Sequence, residues 1–147
     1  VARDPNNYMN IVIIDIGEDE GIEKNMPVVS PEGVVGKITS VLPKSSAVMF
    51  ITDTQNSISA VVSGPRCIGT LVGDGASACR LKYVPINVQV KPGDRVLTSG
   101  EGGIFPKGLL LGEVFDARPA PDNMTLEVRV KPSVDFPAIE EVFVVTK

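Results

Sequence analysis

Residues 98–112 read Thr98-Ser99-Gly100-Glu101-Gly102-Gly103-Ile104-Phe105-Pro106-Lys107-Gly108-Leu109-Leu110-Leu111-Gly112. A loop this rich in glycine can cradle a phosphate or present a nucleophile, and each chemistry has definite requirements. A dinucleotide fingerprint, G-x-G-x-x-G, needs a third glycine where Phe105 stands, and no helical pattern follows. A P-loop needs Gly-Lys-Ser/Thr, whereas Lys107 precedes Gly108 and leucines follow. The G-x-S-x-G elbow fails because Leu97-Thr98 precede Ser99. The nucleophile loop of chymotrypsin-like proteases, Gly-Asp-Ser-Gly-Gly-Pro, is faintly similar, but Glu101 holds the nucleophile's place. The chain has no histidine, so Ser-His-Asp and Cys-His catalysis and all His-bearing metal sites are excluded.

The remaining reactive types offer little more. Glu18-Asp19-Glu20 and Glu140-Glu141 lack the spacing of a calcium loop or of a glycosidase pair and read as solvated turns. Cys67 and Cys79 are too few for a metal cluster; they form either a disulfide or two free thiols, with a lean to buried thiols. No cofactor or metal is expected. A net charge of −4 argues against broad nucleic-acid binding, which needs cations against phosphates. No apolar run reaches the ~20 residues of a membrane span, and no signal peptide is present. The abrupt start at Val1-Ala2-Arg3-Asp4 suggests a piece of a longer protein.

Stepwise alternation supplies the elements that must hold these residues. With 43% hydrophobic and 22% charged residues the 147-residue chain is a folded one, and 14 Gly and 12 Pro imply many turns. Ile58, Ala60 and Val62 share one strand face; Cys79, Leu81 and Tyr83 point inward on another; Leu126, Val128 and Val130 do so on a third. Residues 10–16 are apolar on both faces, as in a strand covered on both sides. Further strands are expected in 33–41, 46–53, 67–73, 95–99, 112–119 and 140–146, and residues 73–75 read as a hairpin turn.

An internal repeat follows. Gly36-Lys37-Ile38 and Gly112-Glu113-Val114 each follow an apolar strand, a polar turn (Asn25-Met26 or Gly93-Asp94) and a short second strand. The expected fold is all-β, with two small related β-barrel domains packed together in a chymotrypsin-like double-barrel manner and little helix. The domains are placed at 8–64 and 79–147, with 65–78 a connecting strand or hairpin and strands free to exchange between barrels. A single long sandwich is the alternative. Gly17, Gly21, Gly36, Gly93, Gly100, Gly102, Gly103, Gly108 and Gly112 are expected to be structural turn residues. Phe105, Leu109, Leu110 and Leu111 either pack the junction between barrels or meet a partner, because strand neighbours cannot share one face.

Several short signatures occur in order: Ala2-Arg3-Asp4-Pro5, Asp15-x-Gly17-x-x-x-Gly21, Asp53 to Ser57, Gly93-Asp94, Thr98-Ser99-Gly100, Phe105-Pro106-Lys107-Gly108 and Pro132-Ser133-Val134-Asp135-Phe136. In this order they resemble the extracytoplasmic region of the MreC family of rod shape-determining proteins, over nearly the whole chain. The resemblance implies a non-catalytic scaffold of the bacterial cell-elongation complex, outside the cytoplasmic membrane and anchored by an N-terminal helix that lies outside this sequence. It also implies binding to the class B penicillin-binding transpeptidase, self-association, and coupling through MreD and RodA to the MreB filament. Two other functions compete. A degenerate chymotrypsin-like hydrolase using Ser99 or Glu101 lacks a general base. A cell-wall carbohydrate-binding module would show stacking aromatics, and the chain has no Trp and 5% aromatics.

Overall fold

A computed structural model describes residues 11–146. The first signature, Ala2 to Pro5, and the first residues of the 8–64 segment lie outside these. Nearly everything described is strand. Eleven strands run in chain order: β1 (Ile11–Ile14), β2 (Pro27–Ser30), β3 (Gly33–Val41), β4 (Ser46–Phe50), β5 (Ser57–Val62), β6 (Cys67–Gly73), β7 (Cys79–Pro85), β8 (Arg95–Thr98), β9 (Leu110–Pro119), β10 (Thr125–Pro132) and β11 (Phe143–Val144). The only helical pieces among the described residues are single 3-10 turns at Glu18–Glu20 and Phe136–Ala138.

The strands make two bodies. One is a five-stranded sheet in the order β1-β4-β3-β2-β11; the other is a closed barrel in the order β10-β7-β6-β5-β8-β9. All ladders are antiparallel. The segment 65–78 is therefore barrel wall rather than a link, since β6 joins β5 to β7. The chain crosses from sheet to barrel after β4 and returns after β10 to add β11 to β2.

The repeat holds at the level of single hydrogen bonds. Asn25 (φ 73°) and Gly93 (φ 97°) both turn in the left-handed region. The Asn25 amide donates to Ile38 O at 2.8 Å, and the Ile38 amide donates back to Met26 O at 2.9 Å. In the barrel Gly93 donates to Val114 O, and Val114 back to Asp94 O, both at 2.8 Å. Even the irregularities recur. Val28 opposes Gly36 and Val29 opposes Val34, so Val35 is an extra residue; Val96 opposes Gly112 and Leu97 opposes Leu110, so Leu111 is its counterpart. A second bulge places Thr39 and Phe115 in matching positions.

Two hydrophobic cores result. Val12, Ile14, Ile22, Val28, Val35, Ile38, Val48, Phe50 and Val134 fill the sheet's core. The barrel is filled by Ile58, Ala60, Val62, Leu71, Cys79, Leu81, Val84, Val96, Leu111, Val114, Val128 and Val130 among others. Val34, although on β3 of the sheet, belongs to the barrel core, and Phe136 packs against both, its ring stacked on Phe50 at 4.6 Å between centroids. On the outer barrel face the β9–β10 ladder sets opposite charges across from one another: Arg118 and Glu127, Asp116 and Arg129, Glu113 and Lys131.

Three sequence expectations fail here. Residues 11–14 are covered on one side only: Val12 and Ile14 are buried while Ile13 is exposed. Tyr83 points outward, not inward. Val84 opposes Leu126 and Leu81 opposes Val128, so Lys82 and Tyr83 share one partner position, and the bulge reverses the alternation at Tyr83. The turn expected at 73–75 begins later: Gly73 ends β6, and only Gly75 takes a positive φ.

Gly36 and Gly112 explain why the repeat keeps glycine at this step. A Cβ on Gly36 would lie 1.8 Å from Met49 O, and one on Gly112 would lie 2.2 Å from Lys131 O. Neither neighbour is a side chain that can swing away; both are ladder backbone. Gly36→Ala and Gly112→Ala are each expected to destabilise the chain by about 1–3 kcal/mol through backbone displacement. Urea denaturation midpoints measure this, and unchanged midpoints would contradict the packing described.

Candidate functional site

The glycine-rich loop joins β8 to β9, and its base is sewn shut by one buried threonine. The Thr98 amide donates to Leu109 O at 2.8 Å and Thr98 O accepts from the Gly108 amide at 2.9 Å. The Thr98 hydroxyl donates to Pro106 O at 2.6 Å and accepts from the Leu109 amide at 2.8 Å. Gly100, Gly102, Gly103 and Gly108 all have φ between 75° and 90°, so the loop reverses direction repeatedly. Of the other predicted turn glycines, Gly21 and Gly93 share the positive φ, while Gly17, Gly36 and Gly112 are places of close backbone approach.

Ser99 and Glu101 are engaged as staples. The Ser99 hydroxyl donates to Ser59 Oγ at 2.7 Å, Ser59 Oγ donates to the Glu101 carboxylate at 3.3 Å, and the Glu101 amide donates to Ser99 Oγ at 3.1 Å. This chain of hydroxyls pins the loop to β5 of the barrel wall. It ends on the solvent-exposed Glu101 carboxylate, which holds Ser59 rather than Ser99. Among the described residues no group of three or more His, Cys, Asp or Glu side chains is placed to hold a metal ion.

The apolar residues separate by face. Phe105 and Leu111 are buried in the barrel core, and Leu109 packs against it. Leu110 is half-buried at the junction with the sheet, where its carbonyl would lie 2.6 Å from a Cβ on Gly33. The bulge at Leu111 lets three consecutive leucines be accommodated without exposing one fully. Beyond them the loop forms one wall of a groove of about 850 Å³ between barrel and sheet. Met26 and Pro27 at the start of β2, Ile104 to Pro106, and Val145 supply its apolar lining, with Glu23, Lys24, Glu101 and Lys107 at its rim. Sequence alone brought the loop to attention but not Met26 and Pro27, at the start of β2, or Val145, which the return of β11 brings beside Pro27.

The cysteines are free thiols. Cys67 lies at the far end of β6 from Gly73, the residue facing Cys79, so about 20 Å of strand separates them. That is well outside disulfide reach. Cys79 is buried, with Sγ 3.4 Å from Ile51 O, and burial, aided by the nearby Asp74 charge, pushes its thiol up to about 12. Burial also raises the half-buried Cys67 thiol.

The description "Rod shape-determining protein MreC, barrel core" matches residues 1–146. The chain belongs to the MreC family. Cell shape-determining protein MreC of Listeria monocytogenes is 31% identical over 152 aligned residues, spanning all of this chain and 52% of that protein. The chain thus corresponds to about half the length of that MreC relative. A crystal structure of MreC from Pseudomonas aeruginosa superposes with a TM-score of 0.93 at 28% identity, over 99% of this chain and 95% of that one. The same fold occurs in a complex between a penicillin-binding protein, PBP2, and MreC from Helicobacter pylori, with a TM-score of 0.71 at 17% identity over 89% and 82% of the two chains. The sheet and the closed barrel are features of this MreC fold.

Two outcomes test the packing. Phe105→Ala removes a ring that anchors the loop in the barrel core and is expected to lower stability by about 3–5 kcal/mol in urea titrations. Cys79 gives a pH signature. Its folded thiol holds its proton while the unfolded thiol ionises near its ordinary value of 9.0, so its contribution is complete below pH 9 and declines as pH rises toward 12. Denaturation midpoints of wild type should fall across that window more steeply than those of Cys79→Ala; parallel curves would refute the assignment.

Proposed function

We propose that this chain is a non-catalytic scaffold of the bacterial elongation machinery that binds a class B penicillin-binding transpeptidase outside the cytoplasmic membrane. The observation that carries this is the match to the MreC barrel core over residues 1–146. The shared fold with the Helicobacter pylori MreC found in complex with PBP2 supports the choice of partner. Self-association belongs to the same proposal, as does coupling to MreD, RodA and MreB through the rest of the protein. Anchoring through an N-terminal segment outside this sequence belongs to the same proposal; among the described residues no helix is long and apolar enough to cross a membrane.

Scaffolding works here through differential affinity. A partner held in one of its conformations is shifted toward it by the difference in binding free energy between states. A body with two filled cores and densely hydrogen-bonded turns suits this, because a rigid surface loses little entropy on binding. The glycine loop fits the same role: Ser99, Glu101 and Phe105 hold its shape, and the groove it walls offers apolar contact with a mixed-charge rim.

Immobilised chain should retain the soluble ectodomain of the cognate transpeptidase from purified solution, and a catalytically inactive transpeptidase should bind as well as the active one. Absence of retention by both this chain and the full-length protein would rule out the partner.

A further inference from the structure

β11 is an outer strand of the five-stranded sheet, paired with β2 on one side. Phe143 opposes Val29, Val144 opposes Val28, and the Val145 amide donates to Pro27 O at 2.8 Å. Bonding along an antiparallel ladder alternates, so Phe143 and Val145 turn their backbone groups to β2 while Val144 turns its amide and carbonyl away. The other side of β2 agrees. Met26 O accepts from the Ile38 amide at 2.9 Å, so Val28 bonds toward β3, and Pro27 and Val29 are left for β11. Residues 142–145 read Val-Phe-Val-Val, and Phe143 is 54% exposed. Of the usual guards of a sheet edge, which are brevity, charge, proline and a bulge, only brevity applies within this run.

The edge joins two unlike ends. It starts at a pocket of about 210 Å³ lined by Glu32, Asp135, Glu140 and Glu141 and by no lysine or arginine. None of these four carboxylates enters an ion pair among the described residues. It ends at Val145 and Thr146 in the groove of about 850 Å³ shared with Ile104, Phe105 and Pro106. An extended chain covers the distance from residue 141 to 145 in about 13 Å.

We infer that an extended segment of the transpeptidase adds to this edge as a further strand beside β11. It pairs with the Val144 amide and carbonyl, sets an arginine or lysine over the acidic pocket and places an apolar side chain in the groove. This rests on the partner proposed above and supplies its contact. The occupant is a strand because a donor and an acceptor on one open edge are matched together by another extended backbone. Its basic end follows from the four carboxylates that no cation of this pocket offsets.

Calorimetric titration of the purified transpeptidase ectodomain into the chain tests the contact, with Val144→Pro and with Glu140→Lys plus Glu141→Lys. Proline at 144 removes an outward amide and no bond to β2, so the urea midpoint should stay near that of wild type while Kd rises about tenfold. The double charge reversal should also raise Kd and flatten its dependence on salt. Hydrogen exchange followed by NMR reads the edge itself. In the free chain the Val144 amide should exchange much faster than the Val145 amide, and the transpeptidase should slow it. Should Val144→Pro not fold, that slowing decides. A folded Val144→Pro that binds as wild type does, or a Val144 amide that exchanges as fast at saturation, overturns strand addition and leaves the partner standing. An unchanged Kd for the double reversal overturns the basic end of the segment. A wild-type chain that binds no transpeptidase overturns the partner as well.

Discussion

One extra residue in β3 decides how the two halves of this molecule meet. Val35 is the bulged residue, and it turns into the sheet's own core while its neighbour Val34 is delivered into the barrel's. Adjacent residues of a strand ordinarily serve the two faces of one sheet. Here the two faces belong to two cores, so β3 meets the sheet's own interior on one side and the barrel on the other. Phe136 closes the same junction from the returning segment by stacking on Phe50. A small body that cannot bury enough apolar surface alone gains by sharing a wall in this way.

The barrel repeats the device with a different outcome. Leu111 occupies the place of Val35 and fills the barrel, whereas Leu110, the counterpart of Val34, stays half-buried against the sheet. The lengthened loop ahead of it carries Phe105 into the barrel core instead. Duplication supplied two similar frames, and the divergence of one loop made the groove between them. Ser99 and Glu101, the residues most suggestive of catalysis by type, serve as the fasteners of that loop.

Period-two alternation made the β architecture legible, and the repeated Gly-charged-aliphatic step revealed the duplication, because both depend on local spacing. The family signatures were equally readable. Bulges were not: they invert alternation, which is why Tyr83 was expected inside; Ile13 was credited with a covered face because an apolar edge strand reads like a central one. The allotment of strands was hidden for another reason. Residues 57–64 group by pattern with the first half and 65–78 with a connection, yet β5 and β6 complete the barrel, a choice made by long-range pairing and not by local pattern. Thr52, Asp53 and Asn56 are buried at the crossing between the bodies, a burial that their polar types do not announce.

The return of β11 gives the molecule a history as well as a shape. Phe143 and Val144 pair with Val29 and Val28, over a hundred positions earlier. The sheet therefore lacks its last strand until the intervening barrel chain has been made. Pairings so distant in sequence close a long loop, at an entropic cost that nearer ones avoid. During synthesis the edge of β2 stands open until residues 143–144 emerge. The first body to begin is thus the last whose strands are all in hand.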